Sequence, residues 1–175
     1  IAPGLTEAGL DRVAVHLFLL YWGMISFITP PVAIGAYAAA TVAKSDPMKT
    51  GFEAMRLGSI IYFVPFFFVL NPALIGRGSI GEIALVLSTT IVGIVLISGG
   101  LQGYLYGVGT IASTALGRLG RTLLVIGGGV LALPGNEKLI GLQHGEINAV
   151  ALVLIVLAVI ACRGARTEPL PRPSA

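Results

Sequence analysis

The stretch Ser26-Phe27-Ile28-Thr29-Pro30-Pro31 decides how this chain folds. It lies in the middle of Val13–Ala43, which contains 31 residues and no charged side chain. One straight helix of that length would rise about 46 Å, well beyond the ~30 Å hydrocarbon core of a bilayer. Proline has no N–H and its ring clashes with the preceding turn, so a helix must stop near Thr29. The expected element is discontinuous. A half-helix Val13–Thr29 leads into an unwound Thr29-Pro30-Pro31 elbow, and a second half-helix follows over Val32–Ala43.

The flanking sequence says what surrounds this elbow. Of 175 residues, 55% are hydrophobic and only 11% are charged, with a mean hydropathy of +0.93. A soluble domain carries about a quarter charged residues. The charges are also bunched, leaving Leu57–Gly76 and Ile83–Gly117 uncharged. Such runs are membrane spans. They exclude a soluble enzyme domain, a disordered tail and a nucleic-acid-binding module. The pI of about 9.3 comes from a net charge of only +3, so it reports topology rather than an anionic partner. One cysteine, Cys162, excludes an intrachain disulfide and a cysteine metal site. In its apolar run it is expected to act as a small hydrophobe.

About five transmembrane segments are expected, making an all-α integral membrane protein. The first is the proline-broken 13–43. A polar lead-in, 1–12, precedes it. Lys44–Arg56 is a loop running into an amphipathic helix start, with Asp46 as N-cap and Pro47 as the first helical residue. The second span is 57–75, kinked at Pro65 and left at Asn71-Pro72. After a turn at Arg77–Glu82, Ile83–Leu101 is the third. Gln102–Gly117 is Gly-rich and is expected as an interfacial or re-entrant helix. Arg118 and Arg121 bracket a loop. Thr122–Leu133 is a marginal span ended by Pro134-Gly135-Asn136, and Ile147–Cys162 is the last. The Arg- and Pro-rich tail 163–175 is expected to be disordered and cytoplasmic.

Orientation follows from the positive-inside rule. With loop 44–56 in the cytoplasm, eight basic residues fall there: Lys44, Lys49, Arg56, Arg118, Arg121, Arg163, Arg166 and Arg172. Three, Arg12, Arg77 and Lys138, fall opposite. This requires Thr122–Leu133 to cross, and 13–43 to cross once. A hairpin at 13–43 stays open, because it would only move Arg12 into the cytoplasmic set.

Within hydrocarbon, a broken helix is tolerated only where protein or a watery cavity covers its backbone. Secondary transporters use such breaks to hold Na⁺ with carbonyls and hydroxyls, and to aim helix N-termini at anions. Here Ser26 and Thr29 supply hydroxyls and are the Na⁺ candidates. Carbonyls near Ile28 and Thr29 are expected to lose their partners, and Val32–Ala36 to present free N–H groups. The candidate ion- or substrate-binding residues are therefore Ser26, Thr29, Pro30, Pro31, Ala33 and Gly35. The alternative is a proline kink that only shapes packing.

Gly35, Ala39 and Ala43, and separately Gly99, Gly103 and Gly107, are spaced by four and are expected as packing ridges. His16 is a proton relay or an interfacial hydrogen-bonding residue. His144, beside Glu146, is expected in a solvated loop. Trp22, Tyr21 and Tyr37 line a cavity or simply pack. No phosphate loop, metal-ligand cluster or nucleophile–base pair stands in the sequence, so no enzyme is expected.

Taken in order, His16-Leu17-Phe18, Tyr21-Trp22-Gly23-Met24, Ile28-Thr29-Pro30-Pro31-Val32-Ala33, Ala36-Tyr37-Ala38-Ala39-Ala40, Ser45-Asp46-Pro47-Met48-Lys49-Thr50-Gly51, Pro65-Phe66 and Asn71-Pro72-Ala73-Leu74 form a pattern. It resembles the large membrane subunit of tripartite ATP-independent periplasmic (TRAP) transporters, especially the type fused to its small subunit. The likeness spans residues 1–75. Residues 76–162 are similar, less specifically, to the extra C-terminal membrane region of fused permeases, through Leu101-Gln102-Gly103-Tyr104 and Leu133-Pro134-Gly135.

The resemblance implies Na⁺-driven secondary transport of a small organic anion, with no cofactor beyond Na⁺ as coupling ion. It implies a periplasmic substrate-binding protein and the remainder of the permease as partners, besides membrane lipid. It further implies a multi-pass location in the bacterial inner membrane and an elevator-type fold with two inverted repeats. The elbow would then be the broken helix of the second repeat. Family members often carry Gly where this chain has Ala33, a position that would lie near any bound ligand. Because the chain opens on Ile1, it is expected to be the C-terminal portion of a longer permease, or a reading frame whose start is missing, unable to transport by itself. The alternative function is a non-transporting membrane assembly subunit that binds partner helices through its glycine ridges.

Overall fold

The computed structural model describes residues 2–133 and 144–165. The expected turn at Pro134-Gly135-Asn136, Lys138, and the tail from residue 166 onward lie outside these residues. The lead-in is not only polar coil: Ala2–Glu7 forms a short helix, α1. The next helix, α2 (Arg12–Ile25), starts where the Asp11 carboxylate accepts the N–H groups of Val13 and Ala14 at 2.8 and 3.1 Å. Arg77 reaches the same carboxylate at 3.6 Å. Helix α3 (Ile34–Ala43) closes at Lys44, whose φ of +52° lets the chain reverse.

Helix α4 (Pro47–Leu57) confirms the cap expected from Asp46-Pro47, the carboxylate accepting the Lys49 N–H at 2.8 Å. It is a full helix rather than a loop with a helical start. Beyond it, the expected span 57–75 is not one kinked helix. It consists of a 3₁₀ turn at Ser59–Tyr62, helix α5 (Val64–Leu70) and a second 3₁₀ turn at Pro72–Ile75. The bend falls at Gly58, where α4 and the segment 59–70 meet at 68°. Pro65 does not kink a helix; it sits in the first turn of α5, where its missing N–H has no partner to lose.

The second half of the described chain is regular. Helix α6 (Ile80–Gln102) begins three residues earlier than expected, because Ser79 caps it through the Glu82 N–H. The expected helix over Gln102–Gly117 is absent: α6 ends at Gln102, α7 starts at Ala115, and residues 103–114 between them are not helical. Gly103 and Gly107 take positive φ, +73° and +84°, which ends α6 and turns a small antiparallel ribbon of β1 (Tyr104–Leu105) and β2 (Gly109–Thr110). Helix α7 (Ala115–Ala132) runs for 18 residues. Arg118 and Arg121 are therefore helical, not loop residues, and the marginal span becomes a sufficient one. Helix α8 (His144–Gly164) places His144 at a helix start rather than in a loop.

Three helices, α6, α7 and residues 147–164 of α8, are long and apolar enough to cross a membrane, and the bent pair 47–70 would make a fourth. Only if α2 and α3 together count as one broken span does the number reach five. The protein is an all-α membrane protein apart from the small ribbon.

Helices α6, α7 and α8 pack antiparallel through glycines, but not the expected ones. A Cβ on Gly93 would stand 2.5 Å from the Gly128 carbonyl, and one on Gly100 2.7 Å from that of Arg121. Gly120 and Gly127 likewise bring α7 against Cys162 and Ile155 of α8, where a Cβ would stand 2.7 and 3.1 Å from their side chains. Each pair is seven apart, two helical turns on one face. Gly103 and Gly107 are turn residues, since the helix has already ended. On α3 the buried stripe is Ala36 and Ala40, one residue on from the expected Gly35, Ala39 and Ala43 ridge. Phe67, Ile97 and Ala132 form the apolar contact between the two halves.

Candidate functional site

The chain does break around the two prolines, but over eight residues rather than three. Helix α2 ends at Ile25. The N–H groups of Ser26, Phe27 and Ile28 then bond three residues back, to Gly23, Met24 and Ile25, which tightens the last turn. The Pro30–Pro31 peptide is cis. Helices α2 and α3 do not lie along each other: α2 packs on α1 and α5, and α3 on α4. The segment is thus two separated half-helices, not a packed hairpin.

Backbone accounting corrects the expected pattern of free groups. A proline removes the N–H that would reach four residues back, so Pro30 and Pro31 release the carbonyls of Ser26 and Phe27. Phe27 O is recaptured: the N–H groups of Gly35 and Ala36 donate to it at 3.0 and 3.3 Å. The N-terminus of α3 is therefore closed by its own chain, and the expected free N–H groups of Gly35 and Ala36 are used. Thr29 O is also engaged, by the Ala33 N–H at 3.0 Å. The carbonyls of Ser26 and Ile28 accept no bond from the described residues. The carbonyls of Pro30, Pro31 and Val32 accept none either; of the two expected to be open, Ile28 is and Thr29 is not.

The side chains add oxygens. Thr29 Oγ1 donates to the Ile25 carbonyl at 2.8 Å and lies 2.6 Å from Tyr62 Oη. A hydroxyl has one proton. With Thr29 committed to Ile25, Tyr62 donates to Thr29, and the phenol oxygen keeps its lone pairs. Ser26 Oγ donates to Gly23 O at 2.6 Å. Ser26, Thr29, Pro30 and Pro31 border one cavity of about 260 Å³, with Trp22, Ile25, Val32 and Tyr62. Ala33 and Gly35 do not border it. Ala33 is fully buried with φ +31°, a left-handed conformation that glycine adopts freely and alanine does not. A Cβ on Gly35 would stand 3.3 Å from Phe27 O, so glycine lets that carbonyl close over the start of α3.

The elbow rests on the following segment. Pro30 lies where a side chain on Gly51 would stand, 2.8 Å from its Cβ, and Ile28 lies likewise over Gly58 at 2.9 Å. Edge-to-face contacts of Trp22 with Tyr62 and Phe66, at 6.4 and 6.1 Å, hold α2 against the same segment. Tyr62, Gly51 and Gly58 were not among the candidate site residues read from the sequence. Tyr62 stands 33 residues from Thr29, and no local spacing connects them. Tyr21 packs on Phe68, and Tyr37 donates to Met48 Sδ at 3.0 Å. His16 Nδ1 lies 2.7 Å from Arg12 O on an exposed face, the bond of an interfacial residue.

The chemistry that the bordering residues supply is neutral oxygen: the open carbonyls of Ser26, Pro30, Pro31 and Val32 and the hydroxyls of Ser26, Thr29 and Tyr62, with no carboxylate among them. Such donors suit a hard monovalent cation. Residues 1–83 match the family model described as tripartite ATP-independent periplasmic transporter, DctM component. Comparison with curated proteins and with solved structures returns no match.

Proposed function

We propose, from the match of residues 1–83 to the DctM component of TRAP permeases, that the elbow 26–33 helps to couple Na⁺ to the uptake of small organic carboxylates. In this proposal the open carbonyls of Ser26, Pro30, Pro31 and Val32 and the Ser26, Thr29 and Tyr62 hydroxyls are the oxygens offered to the ion. The complete permease sits in the bacterial inner membrane, and a periplasmic binding protein delivers the anion. The remaining ion ligands come from other parts of the permease. The observation that carries this is the set of unengaged carbonyls on either side of Thr29 at a helix break, those of Ser26, Ile28, Pro30, Pro31 and Val32. In a membrane an open carbonyl needs a partner, and a break that served packing alone would close all of them, as it closes Phe27 and Thr29.

The assembly-subunit alternative rests on the ridges Gly35, Ala39, Ala43 and Gly99, Gly103, Gly107. Gly99 and Gly103 are taken up by Leu105 and Arg121 of the chain itself, whereas Gly35, Ala39 and Ala43 stay exposed on α3, so the uptake assay below decides between the two readings.

The test is Thr29→Val in the complete permease, reconstituted with its binding protein. Valine keeps the shape and removes the hydroxyl, so Tyr62 loses its acceptor. The half-saturating Na⁺ concentration for uptake should rise about tenfold, equivalent to one charge-assisted bond, with membrane insertion unchanged. Unaltered Na⁺ dependence in a correctly inserted protein would remove the elbow from the ion site.

A further inference from the structure

A second cavity lies away from the elbow, between α6 and α7 of the three-helix bundle. It measures about 500 Å³ and is bordered by Gly100, Leu101, Arg118, Arg121, Thr122 and Val125. We infer that this cavity holds the phosphate headgroup of an anionic membrane lipid.

Its polar and apolar sides are ordered along α7. Arg118, Arg121 and Thr122 stand in the first turns, and Val125 stands one turn further in. Leu101 of α6 faces the same space. A lipid has this order, with phosphate at the membrane boundary and glycerol and acyl carbons below it. A free phosphate has no use for the apolar half.

Arg121 is held in place by the fold. Its Nε and Nη2 donate to the carbonyls of Gly100 and Leu101, each at 2.8 Å, which closes the end of α6. Gly103 gives the guanidinium room, since a Cβ there would stand 3.2 Å from Arg121 Cζ. The third nitrogen, Nη1, makes no bond among the described residues. Arg118 is exposed, and its guanidinium has neither a hydrogen bond nor an ion pair among them. The two ion pairs among the described residues, Arg56–Glu53 and Arg77–Asp11, lie elsewhere.

The surroundings fit a membrane boundary. The packing of Gly120 on Cys162 brings Arg163, in the last turn of α8, to the same end as Arg118 and Arg121. Tyr104 and Tyr106, on the ribbon following α6, are 55% and 90% exposed there, as tyrosines at a headgroup level are. Basic pockets between transmembrane helices are where anionic headgroups bind.

The experiment is native mass spectrometry of the complete permease in micelles doped with phosphatidylglycerol or phosphatidylcholine. Phosphatidylglycerol should be retained preferentially. Arg118→Gln should weaken that retention about fivefold, the effect of one basic residue near a membrane surface, and Arg118→Lys should largely restore it. Lys49→Gln, on α4, should change nothing. Should Arg118→Gln lose helical content, the unaltered protein decides: high salt should weaken phosphatidylglycerol retention and spare phosphatidylcholine. Equal retention of both lipids, or salt-independent retention, overturns the proposal. Displacement of the lipid by millimolar sn-glycerol 3-phosphate would overturn it too, assigning the cavity to a soluble phosphate.

Discussion

Residues 2–75 and the described residues of 80–165 are both mostly helical, but different forces hold them. The first region has short helices, none longer than the 14 residues of α2, joined by aromatic edges and closed by backbone carbonyls. The second has helices of 23, 18 and 21 residues, drawn together by glycines that let backbones touch. A transporter needs both. Unwound backbone offers oxygens to a ligand, at the cost of intrahelical bonds. Continuous helices offer nothing to a ligand, but they make a frame that does not yield. The family match falls on the first region and on the opening turn of α6.

Four substitutions probe this contrast in protein purified in detergent, with unfolding followed by helical signal in mixed micelles. The largest effect is expected from Gly93→Val. Its side chain would meet the Gly128 carbonyl and Ala132 Cβ, forcing α6 from α7 at a cost of roughly 3 kcal/mol or more. Native stability in this variant would break the contrast, because the bundle would not depend on backbone contact. Arg121→Met comes next. It keeps the apolar stem and deletes both bonds to the end of α6, for a loss of about 2 kcal/mol; an unchanged midpoint would mean that the end of α6 needs no cap.

In the first region, Ala33→Gly should raise stability by roughly 0.5–1 kcal/mol, because glycine relieves the left-handed backbone while adding some freedom to the unfolded chain. A loss would show that the Ala33 methyl, fully buried, is worth more than the strain it causes. The smallest effect is expected from Ser26→Ala. That hydroxyl bonds only within its own turn, so stability should shift by less than about 0.5 kcal/mol. A larger shift would tie Ser26 to a partner beyond Gly23.

The break at Pro30-Pro31 was legible because proline acts locally, on its own turn. Its extent was not. The sequence cannot say that Phe27 O, released by Pro31, would be taken up by Gly35 and Ala36, since that depends on how the chain returns. Tyr62 was equally hidden. Its hydroxyl matters only because Gly51 and Gly58 let the elbow settle onto a segment that follows it by more than twenty residues. In the same way Arg121 was a charge for setting topology, until α6 ended beside it.

By itself, the sequence determined what depends on composition and short range. Missing charge made this a membrane protein, paired prolines stopped a helix, and Asp46-Pro47 started another. Tertiary structure alone decided which carbonyls stay open, which glycines touch, and which hydroxyl meets Thr29. Those outcomes depend on backbones approaching to within van der Waals contact across tens of residues, a distance no local pattern encodes.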